Sequence, residues 1–245
     1  MYNKEFFEQK FENYNEIEGN AWKMHWRASQ IHRMEKALEY VKRAISSYRV
    51  PVNICEIGCA SADFTDKYYK ENLMRIVGID LSDRAIEICK KKYQDTNVKF
   101  IQGNILNIDL TKKYDLVICM DVLHYFSDED KMRSMKNIQM ILKAEGKAIL
   151  MIPIGGNDDA KDFIEKTKKV FKKSTYDYVY TQFYQKYFEG GLLHVYDFFC
   201  NKKEWGGLIF AKQLKKILHS MVVFNFINKL DRKHIPSHII VIAEE

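Results

Sequence analysis

Residues 52–64 read VNICEIGCASADF, and 22 residues past Gly58 a second apolar run, IVGIDLS, closes on Asp80. An apolar run that breaks into an acid, then small residues, then a helical pattern forms a strand, a tight turn and a helix that cradle a cofactor. A second strand ending on an acid offers a grip for ribose hydroxyls. Glu56 stands two residues before Gly58, where its charge would repel a pyrophosphate. The loop therefore suits a cofactor with a cationic amino-acid end better than a dinucleotide.

Outward from this loop, strand-like runs at 52–58, 75–80, 97–102, 114–120 and 146–153 alternate with helical patterns near 61–71, 82–93 and 127–143. Continuous Val/Ile/Leu runs separated by helices predict a parallel sheet covered on both faces. Ser82 is the expected cap of the second helix. After a helix near 203–219, MVVFNFINKL and SHIIVIAEE read as two strands joined through Pro236, which predicts an antiparallel edge hairpin. The expectation is a doubly wound α/β fold with a mostly parallel seven-stranded sheet. One domain spans 1–245: a helical N-terminal prefix or cap (1–50), a cofactor-binding core (51–153), an inserted lid or substrate segment (154–201), and a C-terminal helix and strand pair (202–245). The insertion is rich in aromatics, and long insertions at the ligand-facing edge of a sheet build lids or substrate walls.

Composition narrows the class. A chain of 245 residues, 47% hydrophobic, sustains one full core. The formal charge of +6 does not demand nucleic acid and leaves room for an anionic small-molecule acceptor. Five cysteines form no metal-like pair of pairs, so buried reduced thiols and no metal site are expected. The polar start and the lack of an apolar run of about 18 residues point to a cytoplasmic protein without membrane association.

With these motifs in order over residues 52–153, the chain resembles the class I S-adenosylmethionine-dependent methyltransferases of small-molecule type. EIGCASADF resembles the family's acid-Gly-x-Gly-x-Gly motif, with Glu56 as the acid, Gly58 as the first glycine, and Ala60 and Ala62 at the other two. Those alanines imply a backbone that needs no positive φ there. GIDLS resembles the second motif, which places the ribose acid at Asp80 and an adenine-packing side chain at Leu81. QGNIL resembles the third, with Asn104 in place of the usual Asp; its carbonyl and the backbone of Ile105 are expected to serve the adenine. YDLVICMDVLHYF and LKAEGKAILMIP resemble the fourth and fifth, which adds Cys119 and Met120 to the expected cofactor contacts. The resemblance implies S-adenosyl-L-methionine as cofactor, S-adenosyl-L-homocysteine as product, and methyl transfer to oxygen or nitrogen of a sugar, a surface-polysaccharide precursor or a secondary metabolite; the mild positive charge favours a phosphorylated or nucleotide-linked acceptor.

Methyl transfer from an activated donor mainly requires alignment and, where needed, removal of a proton. His124, just past the fourth strand, is the candidate general base, against the plainer reading of a packing residue. His194, after GGLL in the insertion, is a second candidate beside the commoner reading of a surface histidine. Trp22, His25 and Trp26 in the prefix, with Tyr184 and Tyr187 in the insertion, are candidate substrate contacts, although spaced aromatics more often dock a helix. Arg33 is weighed as a receiver of phosphate or carboxylate. An NAD-dependent oxidoreductase fits poorly, because Ala60 and Asp63 stand where G-x-G-x-x-G needs glycine. An RNA or nucleic-acid methyltransferase and a non-catalytic cofactor-binding partner subunit remain the alternatives.

Overall fold

The sheet has seven strands in the order β3-β2-β1-β4-β5-β7-β6. The structure is a computed structural model and describes residues 3–12, 14, 26–109, 111–202, 205–230 and 236–245. The strands are β1 (Val52–Ile57), β2 (Met74–Asp80), β3 (Lys99–Gln102), β4 (Tyr114–Met120), β5 (Leu142–Pro153), β6 (Lys173–Val179) and β7 (His238–Glu244). The first five pair in parallel, and β7 runs antiparallel to both β5 and β6. The helices are α1 (Lys4–Lys10), α2 (Ala28–Ser46), α3 (Thr65–Tyr68), α4 (Asp83–Lys92), α5 (Asp128–Met140) and α6 (Asn157–Val170). They are followed by α7 (Gln182–Tyr184), which runs through a π turn into α8 (Gly190–Lys202), then α9 (Trp205–His219) and α10 (Met221–Asn228).

Alternation along the strands sorts the core into two layers. Ile54, Leu116, Ile118, Ile149 and Met151 face a layer closed by Met34, Ala37, Val41 and Ala44 of α2. Cys55, Val117, Cys119, Leu150 and Ile152 face the other, closed by Met135 and Ile138 of α5 and by Phe163 and Ile164 of α6. Each buried Val, Leu, Ile, Met or Phe among them contributes roughly 1.5–3 kcal/mol. Helix α4 starts where the sequence places it, with Ser82 Oγ accepting from Ala85 N–H at 3.1 Å.

The antiparallel edge is present, but one of its strands is not the one expected. MVVFNFIN forms helix α10, whose N-terminus Ser220 caps by accepting from Val223 N–H at 3.3 Å. Short apolar runs read equally as strand or helix, and here a local cap and the burial of Phe224 against Tyr184 settle it. The edge position belongs to β6, KSTYDYV, from within the segment expected to be wholly inserted. Residues 157–179 thus join the core as α6 and β6, and the helical addition to the sheet runs from α7 to α10. No described helix is long and apolar enough to cross a membrane.

Candidate active site

A cavity of about 300 Å³ opens at the C-terminal ends of β1, β2 and β4. This is where a doubly wound sheet binds its ligands, because the chain turns away from the sheet there and leaves a crevice. On one side the β1–α3 loop closes on β2: the N–H groups of Gly58 and Cys59 both donate to Ile79 C=O, at 2.7 and 3.1 Å. Gly58 has φ +75, and a Cβ there would lie 2.2 Å from Val122 Cγ2, so the position admits only glycine without rearrangement. Contrary to the sequence expectation, Ala60 and Ala62 also take positive φ, +49 and +60. The loop is left-handed at all three positions and carries the strain of two methyl groups, of order 1–2 kcal/mol each.

Two acids mark this side. Asp80 accepts from Ala60 N–H through Oδ2 and from Ser82 N–H through Oδ1, each at 2.9 Å, and each oxygen keeps a further lone pair. Glu56 is buried, and its Oε2 accepts from Thr65 Oγ1 at 2.6 Å and Tyr68 Oη at 2.5 Å. Burial pushes its carboxyl up to about 7, against the pull of those two hydrogen bonds. A carboxylate so placed gains most from a cation brought beside it. Asn104 Oδ1 accepts from Leu106 N–H at 3.0 Å, so the carbonyl expected to serve a ligand also ties its own turn, with one lone pair to spare. Helix α1 covers the outer wall with Phe7 and Phe11. It is held there by Glu8, which accepts from Ser82 Oγ and Asp83 N–H at 3.0 and 2.6 Å, and by Phe7 edge-on to Tyr125.

The opposite end is built from residues far apart in sequence. Arg33 Nη1 of α2 lies 2.5 Å from Asp121 Oδ2 and 3.0 Å from His238 Nε2. Since a guanidinium only donates, His238 Nε2 accepts, and its Nδ1–H then donates to Ser237 Oγ at 3.0 Å. Burial and the Arg33 charge lower His238 to about 2, so the imidazole is neutral. Asp121 sits in left-handed backbone at φ +54; burial raises its carboxyl and Arg33 draws it back. Burial followed by Arg33 and Lys131 lowers His124 to about 4. Four buried polar atoms of this end have no hydrogen-bond partner: Gln30 Oε1, Arg33 Nε, Asp121 Oδ1 and His124 Nδ1.

Residues 54–146 match the family model described as "Methyltransferase domain". The stretch from β1 into β5 is thus similar to a methyltransferase domain. Nodulation protein S of Azorhizobium caulinodans is 25% identical over 131 residues, 52% of this chain and 62% of that protein. An uncharacterised methyltransferase-like protein of Schizosaccharomyces pombe is 30% identical over 118 residues, 48% of this chain and 43% of that protein. The chain thus spans less than two thirds of the length of these curated relatives. Among solved structures, the N-methyltransferase NodS from Bradyrhizobium japonicum, in complex with S-adenosylhomocysteine, aligns with a TM-score of 0.56 at 19% identity. That alignment covers 72% of this chain and 88% of that one, and it speaks to the fold.

Of the residues expected to contact a cofactor, Glu56, Gly58, Ala60 and Asp80 line the cavity, as do Leu81, Asn104, Ile105 and Met120. Cys119 does not; it points into the core on the α5 side. His124 lines the cavity, whereas His194 lies on the exposed face of α8, outside its wall. Trp26 is buried against Tyr196, Tyr184 against Phe224, and Tyr187 stands 67% exposed beside Phe183, so none of the three reaches the cavity. Trp22 and His25 lie outside the described residues. Gln30 and His238 are wall residues that the sequence reading missed. One signal was available: Gln30 and Arg33 fall on the same buried stripe of α2 as Met34, Ala37 and Val41, where polar side chains need a partner or a purpose. No cluster of potential metal ligands occurs among the described residues.

Proposed function

We propose that this protein transfers a methyl group from S-adenosylmethionine to a nitrogen or oxygen of a small polar acceptor. The observation that carries this reading is the union, in one cavity, of the Glu56 and Asp80 carboxylates with the buried Arg33–Asp121–His238 cluster and His124. The residues fit the cofactor chemically: Asp80 has lone pairs for ribose hydroxyls, and Glu56 is a desolvated acid suited to a cationic amino group. Leu81 and Ile105 offer apolar surface for a base, and Met120 lines the same wall. When bound, S-adenosylmethionine supplies a methyl group whose bonding electron pair stays on sulfur while the acceptor's lone pair forms the new bond.

The chain's own part is to orient, to exclude water and to manage a proton. The Arg33–Asp121 pair sets the acceptor end without adding net charge to it. His124 is our candidate to receive a proton: depressed to about 4, it is deprotonated throughout the neutral range, and it is a weak base there. The buried free thiols of Cys55, Cys59, Cys89 and Cys119 suit a reducing compartment such as the cytoplasm. Two measurements test the proposal together. Calorimetry should show S-adenosylhomocysteine binding that weakens by about 1–3 kcal/mol in Asp80→Ala, and S-adenosylmethionine should be consumed stoichiometrically with a methylated product. Affinity unchanged in Asp80→Ala removes that carboxylate from the site, and binding without any methylated product refutes transfer.

A further inference from the structure

Resting on the proposed transfer reaction, we infer that the acceptor is an amine, held through its N–H groups by Asp121 Oδ1, Gln30 Oε1 and His124 Nδ1. All three atoms are buried, unpartnered and carried by residues of the cavity wall. All three can accept a hydrogen bond, and a buried acceptor left empty costs about 1–3 kcal/mol. Their residues line one cavity and are linked through Arg33 and the chain. Gln30 and Arg33 lie one turn apart on α2, and Arg33 binds Asp121 directly. His124 follows in the 3-10 turn Leu123–Tyr125 immediately after Asp121 and Val122. The cluster therefore asks for a ligand with several donors on one atom. A hydroxyl has one N–H or O–H equivalent to offer and would leave two acceptors bare; a primary ammonium has three, and a secondary one two.

Charge selects the same ligand. Among the described cavity-lining residues Arg33 is the one lysine or arginine, and Asp121 already compensates it at 2.5 Å. Glu56, Asp63, Asp80 and Asp121 all line the cavity, so it favours cations over anions. A phosphate or carboxylate head placed at this end would meet Asp121, with the Arg33 Nε–H as the one open donor and its charge already compensated. His238 adds no charge, since its Nδ1–H is committed to Ser237 and its Nε2 to Arg33. Proton balance is met within the cluster. The bound ammonium loses one proton, through His124 or Asp121 to water, before its lone pair attacks. The nitrogen then gains a carbon bond and a positive charge as the sulfur loses both.

The test uses the purified full chain, S-adenosylmethionine carrying a 13C methyl group, and a small-molecule extract of the producing cells. Half of the extract is first treated with N-hydroxysuccinimidyl acetate, which acylates amines. The expected result is a labelled N–CH3 signal that the treatment abolishes. For the amine so identified, Asp121→Asn and Gln30→Met should each lower kcat/KM at least tenfold. Calorimetric affinity for that amine in the presence of S-adenosylhomocysteine should fall in step. Asparagine tolerates the left-handed backbone at 121, and S-adenosylhomocysteine affinity should stay within twofold in both variants. Label on oxygen, sulfur or carbon, or label that survives acylation, overturns the amine assignment and leaves methyl transfer standing. Label in neither half, with S-adenosylhomocysteine still bound, overturns both.

Discussion

Substituting Gly58 by alanine separates two forces that the cofactor loop combines. The new methyl carbon would sit 2.2 Å from Val122 Cγ2, where carbon atoms prefer about 3.5–4.0 Å, so Val122 or the loop must move by more than an ångström. Overpacking of this kind costs about 1–3 kcal/mol. Holding alanine at φ +75 adds about 1–2 kcal/mol. The stiffer unfolded chain returns roughly 0.4–1 kcal/mol. Gly58→Ala should therefore destabilise by about 1–4.5 kcal/mol, a large share of the roughly 5–15 kcal/mol that holds a domain folded. Val122→Ala deletes Cγ2 and leaves Val122 Cβ at 3.7 Å, an ordinary contact. In the double variant the clash disappears while the backbone strain remains. Urea unfolding of the four proteins should thus give a coupling of about 1–3 kcal/mol in favour of the pair. Coupling under about 0.5 kcal/mol would refute the steric account of why Gly58 is glycine.

Two pH effects follow from the acids and imidazoles of the cavity. His238 has a folded pKa of about 2 against about 6.5 when unfolded, so the unfolded chain binds the extra proton and stability falls as pH drops from 6.5 toward 2. His238→Gln should flatten this slope in urea midpoints taken between pH 7 and 5; parallel losses in both proteins would exclude His238 as a source. Glu56 shifts the other way. Its folded pKa of about 7 lies above the unfolded value near 4.3, so its burial favours the fold at low pH and this benefit is lost as pH rises through 4.3 to 7. A bound cation needs the ionised form, so S-adenosylhomocysteine affinity measured by calorimetry should rise with pH up to about 7 and level off above. The rise should vanish in Glu56→Gln, and an equal rise in that variant would point to another group.

The part of the cavity at the ends of β1 and β2 was legible because its residues lie in one continuous stretch and its strands are buried on both faces. Glu56, Gly58 and Asp80 could be placed from the order of apolar run, acid and turn alone. Backbone conformation was not legible: two alanines argued against positive φ, yet Ala60 and Ala62 adopt it because Asp80 and the closing loop fix the chain there. The Arg33–Asp121–His238 end was mostly hidden. Arg33 and His238 touch across 205 positions of sequence, and nothing local announces such a meeting. Aromatics were misleading for the opposite reason. Tyr184 and Trp26 drew notice as ring-bearing candidates, and both turned out to pack helices onto one another. MVVFNFIN likewise carries no periodicity that distinguishes an eight-residue strand from two turns of helix.

The place of β7 couples assembly to competence. It follows every other strand in sequence, yet lies between β5 and β6 and pairs with both. Until residues 238–244 insert, β6 has no partner and one flank of β5 is bare. Such late, long-range pairing raises contact order and slows closure of the sheet. His238, the first residue of that strand, is also the one that reaches Arg33. In a chain lacking β7 the Arg33–His238 contact cannot form, whatever becomes of the strands that carry Glu56 and Asp80. Only a chain that has finished folding acquires both halves of the cavity.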